Sequence, residues 1–340
     1  MAVPQITLAP GLVTSKLGFG GMGLTHVYGS PADEPTALRV LARALDEGVT
    51  LIDTADVYGV PRPGTRGPSG TNEELIGTFL KDHRSRVQVA TKFGVTGAPP
   101  GNPPARGDRA YVRAACEASL RRLGTEVIDL YYLHRRELGR PISETVAAMA
   151  ELVAEGKVRH LGLSEVTAAE LREAASVHPI AAVQSEWSIW SRDVENHVVG
   201  AAVEVGAGFV PYAPLGRGFL TGCMTREEVA GSVRVGSTRF GEHFDANQAV
   251  VEAIRAVAER NGATPAQVAL AWLYAQGTRL GIPVVPIPGT RRPERVAENA
   301  AAVSLSLSAG DLELLDEAAG LVRGDRNISA DASWISSGRE

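Results

Sequence analysis

Cysteine is almost absent from this sequence: Cys116 and Cys223 are the only two in 340 residues. Two thiols are too few for a disulfide framework or a structural zinc site, so a reducing cytoplasm is the expected compartment. Long apolar runs are missing too. No stretch approaches the roughly 18 consecutive apolar residues of a membrane span, and Met1 to Pro10 lack the basic head and apolar segment of a secretory signal. Nor does positive charge dominate: 34 basic residues stand against 39 acidic ones, a net charge of −5. Nucleic-acid and anionic-membrane surfaces need clustered Lys and Arg. Neither partner is expected, and only a local basic patch remains open. The 37 glycines and 20 prolines follow no collagen or low-complexity period. They serve as punctuation between many short segments.

What is present is an ordinary globular composition, 44% hydrophobic and 21% charged, enough to bury a core and too apolar for a disordered chain. The length allows two average domains or one large α/β barrel. Short β-branched runs alternate with longer Ala- and Leu-rich stretches of helical spacing. Strands are predicted at 16–21, 50–54, 87–92, 128–134, 158–164, 181–185, 208–213 and 284–288. Helices are predicted near 36–47, 71–80, 109–123, 143–155, 168–177, 192–205 and 265–274. Thr71, Thr167 and Thr264 each open a capping box, with Pro265 in the favoured first helical position. Gly48, Gly124, Gly156 and Gly206 mark helix ends.

Eight strands separated by helices, without a break in composition, favour one α/β domain over 1–340: a (β/α)8 TIM barrel with its core at about 12–322. A doubly wound open sheet shares the alternation. A β-hairpin around Pro10-Gly11 is expected to cap the barrel floor. Irregular stretches at 60–70, 93–108 and 216–245, the last with a short helix at 225–230, would emerge at the C-terminal ends of strands. Barrel enzymes keep their active sites on that face. The polar tail 324–340 carries Trp334 and Ile335 and either folds over the barrel or frays.

Polar residues at strand ends hold the chemistry. Asp53 ends the second strand, with Tyr58 five residues on; Lys92 ends the third and His134 the fourth. Singly, each is more simply a solvated or structural residue. Together they suit protonation of an oxygen. A tyrosine has an ordinary pKa of about 10; a neighbouring ammonium stabilises its anion and lowers that value. Asp53 would fix and charge the lysine, and His134 would orient a carbonyl oxygen or share the proton.

The segments Gly18-Phe-Gly-Gly-Met-Gly23, Asp53-Thr-Ala-Asp-Val-Tyr-Gly59, Ala90-Thr-Lys-Phe-Gly94, Asp129-Leu-Tyr-Tyr-Leu-His134, Gly162-Leu-Ser-Glu165 and Tyr212-Ala-Pro-Leu-Gly-Arg-Gly-Phe-Leu220 occur in the order found in aldo-keto reductases. From about Leu12 to Val322 the chain resembles that superfamily. The Ser-Glu pair and Gln184-Ser-Glu-Trp-Ser188 are similar to the bacterial and plant branch that includes perakine reductase. The resemblance implies a catalytic tetrad of Asp53, Tyr58, Lys92 and His134, with Tyr58 protonating a small-molecule carbonyl substrate as hydride passes from the nicotinamide of NADPH. Tyr131 and Tyr132 alternate within their strand and are expected to pack in the core.

For the cofactor, the resemblance places Gly21 and Met22 at the site. It has Ser164 and Gln184 bond the carboxamide and Tyr212 stack on the ring. Leu215, Gly216 and Gly218 offer backbone to the pyrophosphate, where absent side chains permit close approach. Gly18 to Gly23 also fits G-x-G-x-x-G, but no convincing helix follows, so a Rossmann site is rejected. After the eighth predicted strand, a helix opening at Pro293 beside several arginines makes a phosphate site. By resemblance Thr290, Arg291 and Arg295 hold the adenosine 2′-phosphate while Glu298 and Asn299 contact adenine, so NADPH is expected over NADH. With Arg292, these arginines form a local basic pocket.

Some positions depart from the family pattern. Trp187 replaces a common Tyr, Ala213 a common Ser, and Arg135-Arg136-Glu137 adds charge after the histidine. Two other functions compete: a nicotinamide-binding regulatory subunit acting through a protein partner, and a barrel lyase with Lys92 as Schiff-base lysine. Oligomeric state and the identity of the carbonyl stay open.

Overall fold

Residues two apart in a strand share a face, and this alternation builds the centre of the protein. The computed structural model describes residues 2–25, 28–61, 67–97, 104–230, 232–327 and 331–340. An antiparallel hairpin, β1 (Gln5–Ala9) and β2 (Leu12–Ser15), comes first and turns through Gly11 at φ 79°. Seven parallel strands follow in sequential order: β3 (Gly18–Gly20), β4 (Leu51–Asp53), β5 (Gln88–Phe93), β6 (Ile128–Leu133), β7 (Val158–Ser164), β8 (Ile180–Gln184) and β9 (Gly208–Phe209).

Residues 284–288 close this sheet into a (β/α)8 barrel. Val284 bridges Phe209 in parallel, while Gly18 N donates to Pro286 O and Gly20 N to Pro288 O. A regular eighth strand was expected here and does not form. Pro283, Pro286 and Pro288 have no N–H to give, so half of one ladder is missing. The expected strand at 208–213 likewise shortens to two residues, since Pro211 interrupts it and Ala213 turns left-handed at φ 48°.

The helices are α1 (Met22–Thr25), α2 (Glu34–Asp46), α3 (Thr71–His83), α4 (Arg109–Leu123), α5 (Ile142–Ala154), α6 (Ala168–Ala175), α7 (Val198–Val205), α8 (Arg226–Ala230), α9 (Gln248–Arg260), α10 (Pro265–Leu280), α11 (Pro293–Ala301) and α12 (Ala309–Ala319). Thr167 and Thr264 make the expected reciprocal capping boxes. Thr71 does not. Gly70 N is held by Asp56 O, so left-handed Gly70 (φ 71°) takes the cap position and Thr71 becomes the first helical residue. The helix expected at 192–205 splits into a 3₁₀ turn at Asp193–Asn196 and α7, with the Asp193 carboxylate drawn to Arg326 at 2.8 Å. The amphipathic helices α9 and α12 were not predicted.

Leu51, Ala90, Leu130, Tyr132, Ala182, Val210, Val285 and Ile287 fill the barrel, with Leu8 and Leu12 of the hairpin closing its floor. A Cβ on Gly208 would lie 2.4 Å from the Leu8 carbonyl oxygen, so only glycine fits that contact. Alternate residues such as Ile52, Val89, Phe93, Tyr131, Leu133, Leu161, Leu163 and Val183 face outward and bury the helices' apolar stripes. Tyr131 and Tyr132 are fully buried, as expected of packing residues. α1 has only four residues, consistent with the rejected Rossmann pattern. Among the described residues no helix is long and apolar enough to cross a membrane. Residues 62–66 and 98–103, parts of two expected loops, lie outside the described residues. The end of the tail, 331–340, folds against the barrel and buries Ile335.

Candidate active site

Toward the strand ends each interior row turns from hydrocarbon to polar chemistry. Asp53 follows Leu51, Lys92 follows Ala90, His134 follows Tyr132, Ser164 follows Gly162, Gln184 follows Ala182 and Tyr212 follows Val210. The register keeps the rows level: Asp53 is beside Ala90, Lys92 beside Tyr132, and Ser164 beside Gln184. Gly162 is required beneath them, because its Cβ would strike the Tyr132 ring at 2.4 Å.

Lys92 is fully buried and uses all three ammonium N–H groups. It donates to Asp53 Oδ1 at 2.5 Å, to Thr54 O at 2.7 Å and to Tyr58 Oη at 3.5 Å. The other Asp53 oxygen accepts from Gln184 Nε2 at 2.9 Å. The His134 ring meets the Tyr58 ring edge-on, centroids 5.6 Å apart. Tyr58 sits on a clamped loop: Asn72 N donates to Tyr58 O, and the Asn72 side chain ties Thr54, Gly21 and Thr25 together. The structure thus gathers the four expected residues at one barrel mouth.

Burial sets their proton affinities. It pushes the Asp53 carboxyl up and the Lys92 ammonium down, while each partner favours the other's charged form. His134 falls well below its ordinary value, through burial and then the charges of Arg135 and Lys92, and is a neutral imidazole near pH 7. The Tyr58 phenol moves opposite to the expectation. Burial and then the Asp53 charge drive it up, and the opposing charge of Arg135 does not reverse them. Tyr58 is a fully protonated donor.

Ser164 Oγ accepts from Arg135 Nη1 at 3.1 Å, and a guanidinium cannot accept in return, so the serine O–H stays available to a ligand. Gln184 turns its amide N–H to a carboxylate and therefore presents its carbonyl oxygen. One donor beside one acceptor fits a carboxamide. Leu215 precedes the 3₁₀ turn Gly216–Thr221, in which Gly216, Arg217 and Gly218 all have positive φ. Gly21 N is bonded to Asp53 O, and Met22 begins α1.

At the N-terminus of α11, Arg291, Arg292 and Arg295 are exposed and have no carboxylate partner among the described residues. Arg291 donates to the Ser30 and Tyr28 carbonyls, which orients it toward the loop after β3. Thr290 and Asn299 line one small pocket with Gly18 and Val296, and Glu298 O accepts from Gln267. This cluster fits a phosphate group.

A model of the aldo/keto reductase family matches residues 16–319, nearly the whole barrel. The chain belongs to the aldo/keto reductase family. A probable aldo-keto reductase of Glycine max is 44% identical over 311 residues, covering 91% of this chain and 86% of that relative. Among solved structures, a thermostable aldo-keto reductase in complex with the inhibitor epalrestat gives a TM-score of 0.71 at 28% identity, covering 93% of this chain and 99% of that one. The glycerol dehydrogenase of Gluconobacter oxydans gives 0.79 at 27% identity, covering 94% and 95%. As an aldo/keto reductase the protein is an oxidoreductase of carbonyl compounds, in a family that works with NAD(P)H.

Sequence reasoning missed several residues around this aldo/keto reductase site. Arg217 pairs with buried Glu186 at 2.6 Å and reaches Tyr28 Oη at 3.3 Å, while the Arg234 guanidinium lies 4.3 Å above the Tyr28 ring. These contacts join loops nearly two hundred positions apart (189 between Tyr28 and Arg217), and no local pattern announces them. The positions that depart from the family pattern were noted in the sequence, but not their partners: Trp187 packs on Phe209 and donates to Glu195. Arg136 pairs with Glu170, and Glu137 with Arg140.

Proposed function

We propose that the protein reduces an aldehyde or ketone to an alcohol with NADPH, using Tyr58 as general acid with Lys92, Asp53 and His134. The observation that carries this reading is Lys92 Nζ, bonded at once to the Asp53 carboxylate and the Tyr58 hydroxyl. The coenzyme would be held by Ser164 and Gln184 at its carboxamide, Tyr212 at its ring, residues 215–218 at its pyrophosphate, and Thr290, Arg291 and Arg295 at its 2′-phosphate. When bound, it supplies the hydride.

The chain's own residues manage the oxygen. Neutral His134 offers a hydrogen bond to the substrate carbonyl and holds it beside Tyr58. As the carbon gains hydride, its oxygen becomes alkoxide-like and basic enough to take the Tyr58 proton. The Tyr58 O–H bond then breaks and the alcohol O–H bond forms. Lys92, 3.5 Å away, faces the negative charge left on the phenolate. The fixed pair Lys92–Asp53 needs no rearrangement at that moment.

The test is NADPH absorbance followed with a panel of aldehydes, quinones and ketones, for the wild type and Tyr58→Phe. Turnover that survives the substitution unchanged overturns the assignment of the acid. Tight coenzyme binding without turnover on any carbonyl overturns the reductase reading.

A further inference from the structure

Immediately past Ser164 the backbone turns left-handed at Glu165 (φ 51°), a conformation that non-glycine residues rarely adopt. The turn carries a carboxylate into the interior, 1% exposed. Its Oε1 accepts from Tyr212 Oη at 2.9 Å, Glu186 N at 3.1 Å and Arg326 Nη1 at 3.0 Å. Its Oε2 accepts from Arg326 Nη2 at 3.0 Å and from Ser336 N and Oγ at 2.9 and 3.1 Å. Asp193 grips the far side of the same guanidinium.

A buried ion pair on strained backbone is a poor way to gain stability, since well-packed apolar groups commonly do better. Such features gather where a neighbouring group must be held in place. Glu165 itself has no acceptor position left for a ligand, because a carboxylate offers about four lone-pair sites. What it holds is Tyr212. The backbone N–H of Tyr212 is fixed to Ser185 O and the hydroxyl to Glu165, so the ring is pinned at both ends.

We propose that Glu165, locked by Arg326 of the C-terminal tail, is a positioning residue that sets the Tyr212 ring for stacking on nicotinamide. The tail thereby contributes to coenzyme binding through Glu165. This rests on the reading of Tyr212 as the stacking residue. It predicts an effect confined to the nicotinamide end of the coenzyme, whereas general loosening of the fold would weaken every part of it.

The experiment compares dissociation constants for NADP+ and for 2′-phospho-ADP-ribose, which lacks only the nicotinamide. The variants are Tyr212→Phe, Tyr212→Ala, the neutral pair Glu165→Gln with Arg326→Met, and Tyr212→Phe combined with that pair. The neutral pair removes both charges of the buried Glu165–Arg326 contact and leaves only Asp193, 28% exposed and within reach of water, without its cation. Tyr212→Phe removes a single hydroxyl, and urea unfolding of each variant checks that the fold is kept. The expected result is about a tenfold fall in the preference for NADP+ in Tyr212→Phe and in the neutral pair, with no further fall when they are combined. Equal weakening of both ligands, an unchanged preference, or additive losses overturns the proposal. Tyr212→Ala separates the two levels. If it leaves the preference intact, the stacking reading fails and the proposal with it; if it abolishes the preference while the neutral pair does not, only the proposal fails.

Discussion

Lys92 and Asp53 form an ion pair, Nζ to Oδ1 at 2.5 Å, with almost no exposure of either residue. Removing two charges from water costs several kcal/mol per ion, so the pair survives on complete bonding: Thr54 O and Tyr58 Oη fill the lysine, Gln184 the aspartate. Lys92→Met leaves a buried carboxylate without its cation. The expected loss is about 3–5 kcal/mol of stability, measured by urea unfolding. Pairing it with Asp53→Asn should recover part of that loss. Strict additivity of the two single changes would contradict the coupling.

Tyr58→Phe keeps the ring against His134 and deletes only the proton donor. Removing a positioned general acid typically costs 10²- to 10⁴-fold. That loss is expected in kcat, with KM for the carbonyl nearly unchanged, since the hydroxyl acts mainly as charge develops on oxygen. A variant that raises KM alone would make Tyr58 a binding residue.

His134 gives the protein a pH dependence of definite sign. Its folded pKa lies well below the ordinary value of about 6.5 because burial and the neighbouring cations disfavour the imidazolium. Below that pH the unfolded chain takes up a proton that the native state refuses. Stability is therefore full above about pH 6.5 and falls as pH drops, by about 1.4 kcal/mol per unit for this one group. Urea midpoints between pH 7.5 and 5.5 should show a shallower decline in His134→Gln than in the wild type. His160 is shifted in the same direction and contributes equally to both chains. Identical slopes would refute the assignment.

Asp53, Lys92 and His134 were legible because a period of two carries each onto the interior face at a strand end, one step beyond an apolar residue. Tyr58 lies in a loop, where no periodicity applies, and was reached through the motif around it. The Glu165–Arg326 pair spans 161 positions and depends on a tail whose folding the sequence left open. The segment 284–288 was read as a strand on its β-branched residues; its prolines keep the barrel position and accept from β3 but cannot donate back, so only half of that ladder forms. The direction of the Tyr58 shift turned on burial of the phenol and its nearness to the Asp53 charge, which follow from the fold and not from composition.

Arg295 provides the sharpest test of cofactor choice. It projects from the first turn of α11, exposed and without a carboxylate partner among the described residues, while neighbouring Arg291 is oriented by the Ser30 and Tyr28 carbonyls. The helix N-terminus adds positive potential at the same point. NADPH differs from NADH only by the 2′-phosphate, so a cation that reads this group affects one coenzyme and not the other. Hydrogen bonds to charged groups contribute about 1.5–3 kcal/mol, reduced here by solvent screening. Arg295→Ala should therefore weaken NADPH binding about tenfold and leave NADH binding unchanged, as measured by calorimetric titration. The loss should shrink at high salt, where an exposed charge is screened. Equal affinity of the wild type for both coenzymes would remove the phosphate from this site and return Arg295 and the arginines before α11 to the solvent.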